Sequence, residues 1–280
     1  MTVPLTPETL AATSISDLIS LKGRKAVVTG GARGMGEAIA RRLAEAGADI
    51  LIGDREADLA AATAANLAKT YGVQAKGVFL DVAQSKSVSN LAETADKDWG
   101  RIDVWVNCAG IQPGKLLVET TDEEWHAMND VNLGGVFFGC REAAKRMVAV
   151  NNGVIINITS VCAYRGRPSL AHYCATKHGV VGMTQSMAME LGPLGVRVVC
   201  VSPGQTDTPG LREALAKAAA SGGASDESFQ TMMETGRKII PLRRIGQPDD
   251  VARAVLFVAS DMASFITATT VYADGGTTAF

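Results

Sequence analysis

No stretch of this 280-residue chain comes near the ~20 consecutive apolar residues that a membrane-crossing helix needs. A helical span is therefore not expected. The opening residues, Met1 to Glu8, lack the basic start and apolar middle of a secretion signal, so the expected location is cytoplasmic. Surplus charge of one sign is missing as well: the formal net charge is −2 and no run of Lys or Arg occurs. That argues against a nucleic-acid or anionic-membrane partner. Histidine is scarce, and His126, His172 and His178 have no metal-ligand spacing with one another or with a carboxylate. No metal is expected. The five cysteines (Cys108, Cys140, Cys162, Cys174 and Cys200) are odd in number, scattered, and without a Cys-x-x-Cys. Free thiols in a reducing compartment account for them.

What is present is alternation. Lys25–Thr29, Asp49–Ile52, Ala75–Leu80, Ile102–Val106, Val154–Ile158, Arg197–Val201 and Thr269–Tyr272 read as strands. Most are continuous Val/Ile/Leu runs, as expected of strands covered on both faces. Between them, Gly36–Ala46, Ala57–Tyr71, Ser85–Trp99, Asp122–Ala149, Ala171–Leu191 and Asp249–Ser260 have helical periodicity. Strand-helix alternation predicts an α/β, doubly wound parallel sheet with helices on both faces. No linker, repeat or low-complexity block divides the chain, so residues 22–280 are expected to form a single domain. Two segments stand outside the alternation. Residues 1–21 form an extension with a helix start at Thr6 (N-cap), Pro7 and Glu8. Residues 210–240, small and polar in the middle, are expected to be a pair of short helices acting as a substrate lid.

The first strand runs into Thr29-Gly30-Gly31-Ala32-Arg33-Gly34-Met35-Gly36, where a helix begins. Glycines there allow a tight turn and a close approach of backbone N–H groups to a pyrophosphate. The spacing is Gly-x-x-x-Gly-x-Gly; its position between strand and helix is what makes it a nucleotide site. Asp54, ending the second strand, can accept hydrogen bonds from ribose hydroxyls and repels a 2′-phosphate. Arg33 and Arg55 pull the other way. Asp54 tips the expectation to NAD over NADP.

Tyr173 and Lys177 are four residues apart, so on a helix they share a face. By itself that is the pattern of an ordinary packing pair. With a hydride carrier nearby it becomes acid-base equipment, because a positive charge stabilises a phenolate that otherwise titrates near ~10. Ser160, thirteen residues before the tyrosine, could polarise a carbonyl oxygen. His172 and His178 flank the pair and read as helix-packing residues; Cys162 and Tyr164 read equally as pocket lining or core, and Cys174 as packing.

With these motifs in order, the chain resembles the short-chain dehydrogenase/reductase family from about Leu21 to the C-terminus. The family turn Thr-Gly-x-x-x-Gly-x-Gly is Thr29 to Gly36 here, and its adenine-contacting acidic position is Asp81-Val82. Its Asn-Asn-Ala-Gly stands as Asn107-Cys108-Ala109-Gly110, with Cys108 departing from the pattern. Asn132, Ser160, Tyr173 and Lys177 match its catalytic residues. Pro203-Gly204-Gln205-Thr206-Asp207-Thr208 resembles the stretch covering the nicotinamide, with Thr206 and Thr208 as contacts. Asp274-Gly275-Gly276 matches a terminal signature, and Thr267-Ala268 stands where Thr-Gly is usual.

The resemblance implies a Rossmann fold with a seven-stranded, mainly parallel sheet, a nicotinamide cofactor and a homotetramer, or less often a dimer. It implies that Tyr173 is the general acid-base, that Lys177 lowers the phenol pKa and bonds the nicotinamide ribose, that Ser160 orients the substrate oxygen and that Asn132 holds a water. The small-molecule substrate is left open among a polyol, a cyclic alcohol and a hydroxysteroid, with Gln112, Lys115, Arg165 and Arg167 near it. Two other readings stand beside this: an NADPH-dependent 3-oxoacyl-(acyl-carrier-protein) reductase, and a non-catalytic dinucleotide sensor.

Overall fold

Apolar runs become strands here because a strand covered on both faces can be apolar at every position. The computed structural model describes residues 6–213 and 226–279. Its strands are β1 (Lys25–Thr29), β2 (Asp49–Asp54), β3 (Ala75–Phe79), β4 (Val104–Asn107), β5 (Gly153–Ile158), β6 (Val196–Pro203) and β7 (Thr270–Ala273). They form one seven-stranded sheet in the order β3-β2-β1-β4-β5-β6-β7, every neighbouring pair parallel. Thr29 lies opposite Gly53 and Asn107, and Asn107 opposite Asn157, so the carboxyl ends are level across the middle of the sheet. The strand order reverses between β1 and β4. A crevice opens at such a point, outside the carboxyl ends.

Helices cover both faces. On one lie α3 (Gly34–Glu45), α4 (Ala57–Tyr71) and α10 (Pro248–Ala259), whose Ile39, Leu43, Leu67, Val251 and Val255 pack with Val28, Ile50 and Ile52. On the other lie α5 (Ser85–Trp99), α7 (Gly135–Val148) and α8 (Ala171–Leu191), whose Leu91, Val136, Met147 and Val180 pack with Val27 and Leu51. Neighbouring strand residues thus go to opposite cores, as the period of two requires. The other helices are α1 (Pro7–Ala12), α2 (Ile15–Ile19), α6 (Asp122–Asn129) and α9 (Asp226–Ile239).

The expected long helix over Asp122–Ala149 is broken. A π-turn at Asp130–Gly134 separates α6 from α7. Helical periodicity does not show such a widened turn, because one extra residue hardly changes the apolar stripe. Thr6 does cap α1, its hydroxyl accepting from the Thr9 N–H, and the separate α2, capped by Ser14, was not foreseen. Of the pair of short helices expected at 210–240, the structure shows residues 209–213 helical and α9; residues 214–225 lie outside the described residues.

Beneath the crevice runs a buried polar network. Trp105 Nε1 donates to Asn107 Oδ1 (2.8 Å), Asn107 Nδ2 to Asn157 Oδ1 (2.8 Å), and Asn157 Nδ2 to Thr184 Oγ1 (2.9 Å). It ties β4, β5 and α8 together. Gly139 of α7 leaves room for it: a Cβ there would lie 2.1 Å from Asn107 Oδ1. Gly139→Ala must displace that amide, and urea unfolding should show a loss of about 2–5 kcal/mol, combining overpacking with an unpaired buried polar group. Unchanged stability would mean the network is dispensable.

Candidate active site

The turn after β1 is built by close approach. A Cβ on Gly36 would sit 2.0 Å from the Gly30 carbonyl oxygen, and one on Gly30 would sit 2.8 Å from Ala109 Cα. Gly30 also has φ +67°, a backbone that side chains resist. The glycine turn therefore lies directly against Ala109-Gly110, the turn after β4. The first N–H groups of α3, around Gly34, Met35 and Gly36, face the crevice without intrahelical partners, which suits an anion. This cradle fits the pyrophosphate of a dinucleotide.

Asp54 ends β2 beside the cradle. Its Oδ2 accepts the Ala32 N–H and its Oδ1 the Glu56 N–H, both at 3.1 Å, so the carboxylate holds the turn as well as facing outward. Arg55 is exposed. Arg33 is not a free cation: its Nε lies 3.3 Å from Glu56 and its Nη1 2.5 Å from Glu213. Asp81 accepts from the Ala83 N–H at the end of β3, while Val82 packs under Gly135 in the core. Asn107 turns its amide into the network below the crevice, so only its main chain faces the cradle. Gly204, after Pro203, abuts Asp274. The hydroxyls of Thr206 and Thr208 bond the Gly204 carbonyl and the Leu211 N–H.

Four candidate residues meet at the carboxyl ends of β4 and β5. Ser160, just beyond β5, accepts the Cys162 N–H (3.1 Å) and bears on the Tyr173 phenol, whose pKa it lowers. Lys177, one helical turn on, donates to the Ile158 carbonyl (2.9 Å), and its Nζ lies 5.7 Å from the Tyr173 ring centroid. Asn132 sits in the π-turn, fully buried. Its Oδ1 accepts the Ile111 N–H (2.9 Å) and its Nδ2 donates to the Ile111 carbonyl (2.8 Å). Gly110 lies between the groups: a Cβ there would be 3.1 Å from Asn132 Oδ1 and 3.9 Å from Lys177 Nζ.

The electrostatics correct one expectation. Lys177 was to lower the phenol pKa, yet burial pushes the Tyr173 phenol above its ordinary value, against a smaller lowering by Ser160. Burial also pulls the Lys177 ammonium down from 10.5 to about 8. Desolvation penalises both charged forms here, and the ammonium's hydrogen bond among the described residues goes to a carbonyl, not to the phenol.

Other side chains fall elsewhere. Tyr164 turns to β7, bonding Thr270 (2.5 Å) and stacking edge-on against Tyr272. Cys162 and Cys174 pack with Tyr173 and Met128. His178 bonds the Cys174 carbonyl (2.8 Å), and His172 is buried with both ring nitrogens unpartnered among the described residues. Arg165 donates to the Thr277 carbonyl and Lys115 pairs with Glu124 (3.2 Å). Gln112 and Arg167 are exposed. Sequence reasoning missed the Ile158 carbonyl and the Ile111 main chain as partners, since a main-chain group carries no residue signal. It missed Glu213 too, which lies 180 residues from Arg33.

Comparison with known proteins agrees with this geometry. Residues 30–278 match the family model described as enoyl-(acyl carrier protein) reductase. The short-chain reductase protein NovJ of Streptomyces niveus is 39% identical over 251 residues, 90% of this chain and 92% of that one. The chain belongs to the short-chain dehydrogenase/reductase family. As a member, it is an oxidoreductase with an NAD(P)-binding Rossmann fold. The 3-oxoacyl-[acyl-carrier-protein] reductase FabG of Chlamydia trachomatis is 34% identical, covering 91% of this chain and 98% of that one. Among solved structures, a gluconate 5-dehydrogenase from Burkholderia cenocepacia in complex with NADP and tartrate superposes with a TM-score of 0.86 at 36% identity, covering 95% of this chain and 100% of that one. No helix among the described residues is long and apolar enough to cross a membrane.

The depressed lysine pKa has a measurable consequence. Between about pH 8 and 10.5 the unfolded chain holds more protons on Lys177 than the folded one, so stability rises with pH across that window. Below it, both states carry the charge and the burial cost is constant. Denaturant unfolding of the wild type and Lys177→Met at pH 7 and pH 10.5 should show the wild type gaining stability relative to the variant. An unchanged difference would mean that the ammonium is solvated.

Proposed function

We propose that this protein moves a hydride between NAD and a small secondary alcohol or its ketone, with Tyr173 as general acid-base. The observation that carries this reading is the gathering of the buried Tyr173, Ser160, Lys177 and Asn132 at the carboxyl ends of β4 and β5, with Lys177 Nζ 5.7 Å from the Tyr173 ring centroid. In the reduction direction, the neutral Tyr173 phenol gives its proton to the carbonyl oxygen that Ser160 orients. In the oxidation direction the phenol first gives up its proton, and the phenolate then takes the alcohol proton. When bound, the nicotinamide supplies the hydride-accepting carbon. Gly30, Gly34, Gly36, Asp54, Asp81, Ala109 and Gly110 would hold the dinucleotide. Lys177, pulled to about 8, sits where proton exchange near neutrality is possible. The Asn132 amide is engaged with Ile111, so holding a water would fall to its main-chain carbonyl, where the π-turn disturbs the regular hydrogen-bond ladder.

For the substrate, similarity to a gluconate 5-dehydrogenase supports the polyol type, and similarity at the same 36% identity to a 3beta-hydroxysteroid dehydrogenase of Eggerthella lenta supports the hydroxysteroid type, so both stay in the proposal beside a cyclic alcohol. Similarity to FabG favours a second reading, an NADPH-dependent reductase of 3-oxoacyl thioesters. Rates on a panel of polyols, cyclic alcohols and hydroxysteroids with NAD and NADP, followed by the absorbance of reduced nicotinamide, separate the two. Activity confined to NADPH and acyl thioesters would overturn the first, and dinucleotide binding without turnover of any panel member would favour a non-catalytic sensor. Tyr173→Phe removes the proton donor, and kcat should fall by at least ~10²-fold. Wild-type turnover in that variant, with cofactor bound, would rule the mechanism out.

A homotetramer is part of the proposal. Trp125 and Phe137 on α6 and α7, and Phe265 and Tyr272 at and before the edge strand β7, are exposed apolar groups in two separate places, which suits contacts with further copies. Size-exclusion chromatography should give about four times the 29.2 kDa subunit mass; elution as a monomer would contradict it.

A further inference from the structure

The glycine turn is gripped from two distant parts of the chain. Arg33, the residue before α3, stands between Glu56 at the start of α4 and Glu213 on the segment that follows β6. Asp54 is the third carboxylate there, on the turn's own side. The Glu213 segment is held in place independently of Arg33. Thr206 pairs with Gly246, the Asp207 N–H donates to the Gly246 carbonyl (2.9 Å), and Arg212 makes a two-pronged ion pair with Asp207 (2.6 and 2.7 Å). Pro209 of the same segment packs over the turn, 3.3 Å from where a Gly34 Cβ would be.

A guanidinium at this place is the group a 2′-phosphate would seek, since planar donors match phosphate oxygens. Here its donors already face two carboxylates. A dinucleotide with a ribose 2′-hydroxyl leaves those pairs intact. One with a 2′-phosphate must displace them, and it brings a dianion among Asp54, Glu56 and Glu213. We propose that Glu213 is a cofactor-selecting residue, acting through Arg33 to disfavour the 2′-phosphorylated dinucleotide. The proposal rests on the reading of the glycine turn as the dinucleotide site. The segment after β6 then takes part in choosing the cofactor, although its sequence shows no nucleotide motif at Glu213.

The three side chains are each about half exposed, so the pairs are worth what surface ion pairs are worth. Isothermal titration calorimetry with NAD and with NADP, on the wild type, Glu213→Gln, Arg33→Gln and the double variant, reads the effect without turnover. Glu213→Gln should lower the ratio Kd(NADP)/Kd(NAD) by about threefold to fivefold, the scale of one exposed ion pair. Glu213→Lys should lower it further. In the Arg33→Gln background the same Glu213→Gln change should shift the ratio by less than about twofold, because the guanidinium it acts through is gone. A ratio unmoved by Glu213→Gln and by Glu213→Lys would overturn the proposal. So would an undiminished shift in the Arg33→Gln background. A wild type that prefers NADP would sink the NAD-linked reading of the enzyme, while the change of ratio on Glu213→Gln would still decide this inference. Failure to bind either dinucleotide would overturn both.

Discussion

Both polar atoms of the Asn132 amide bind the main chain of one residue, Ile111, and the geometry of the crevice depends on that pair of bonds. It fastens the π-turn between α6 and α7 to the loop leaving β4. The loop then carries Gly110 against Lys177 and Ala109 against Gly30. Two hydrogen bonds to one buried amide, whose second N–H meets Met128 Sδ, thus position the nucleotide cradle and the ammonium together. A regular helix from Asp122 onward would have carried Asn132 around the helix axis and broken the link. The widened turn is where the fold departs from ideal helix geometry, and such departures concentrate at functional sites.

A second constraint is the burial of charge. Among the described residues Lys177 has one carbonyl partner and no carboxylate, so its ammonium costs the folded state free energy and is held near its own titration point. Tyr173 feels the same low dielectric and keeps its proton more firmly. The chain by itself favours a neutral phenol beside a lysine that readily gives up its proton. Ser160 is the group that eases ionisation of the phenol, because a hydroxyl donor stabilises the oxygen that loses the proton. Motif spacing suggested a cation tuning a phenol. The packed interior shows two groups that burial shifts in opposite directions, both toward their neutral forms.

Much of the architecture was legible from residues. Parallel strands buried on both faces must be apolar throughout, so β1, β5 and β6 stood out as Val/Ile runs, and Tyr71 and Trp99 were read correctly as the last residues of α4 and α5. The glycine turn was legible from its place between a strand and a helix, and the structure supplies the reason for its glycines: a Cβ at Gly36 has no space. Less legible were features made by main-chain groups or by partners far apart. The Ile158 carbonyl has no sequence signature. The break at Asp130–Gly134 leaves the apolar periodicity intact. Thr267-Ala268 was noted as a departure, and the structure shows why glycine is usual there: Ala268 holds φ +58°, a conformation that costs an L-residue free energy.

The sequence alone determined the strand-helix alternation, the glycine cradle and the helical pairing of Tyr173 with Lys177. These are local, set by spacing along a helix or by the room available within a turn. Only the tertiary structure decided what surrounds those groups. It turned Asn107 into the core instead of toward the cradle, and it gave Lys177 a carbonyl in place of a phenol. It also set Glu213 against Arg33. Hydrogen bonds and ion pairs act over a few ångströms of space, whatever the separation along the chain, and a spacing rule reads only the chain.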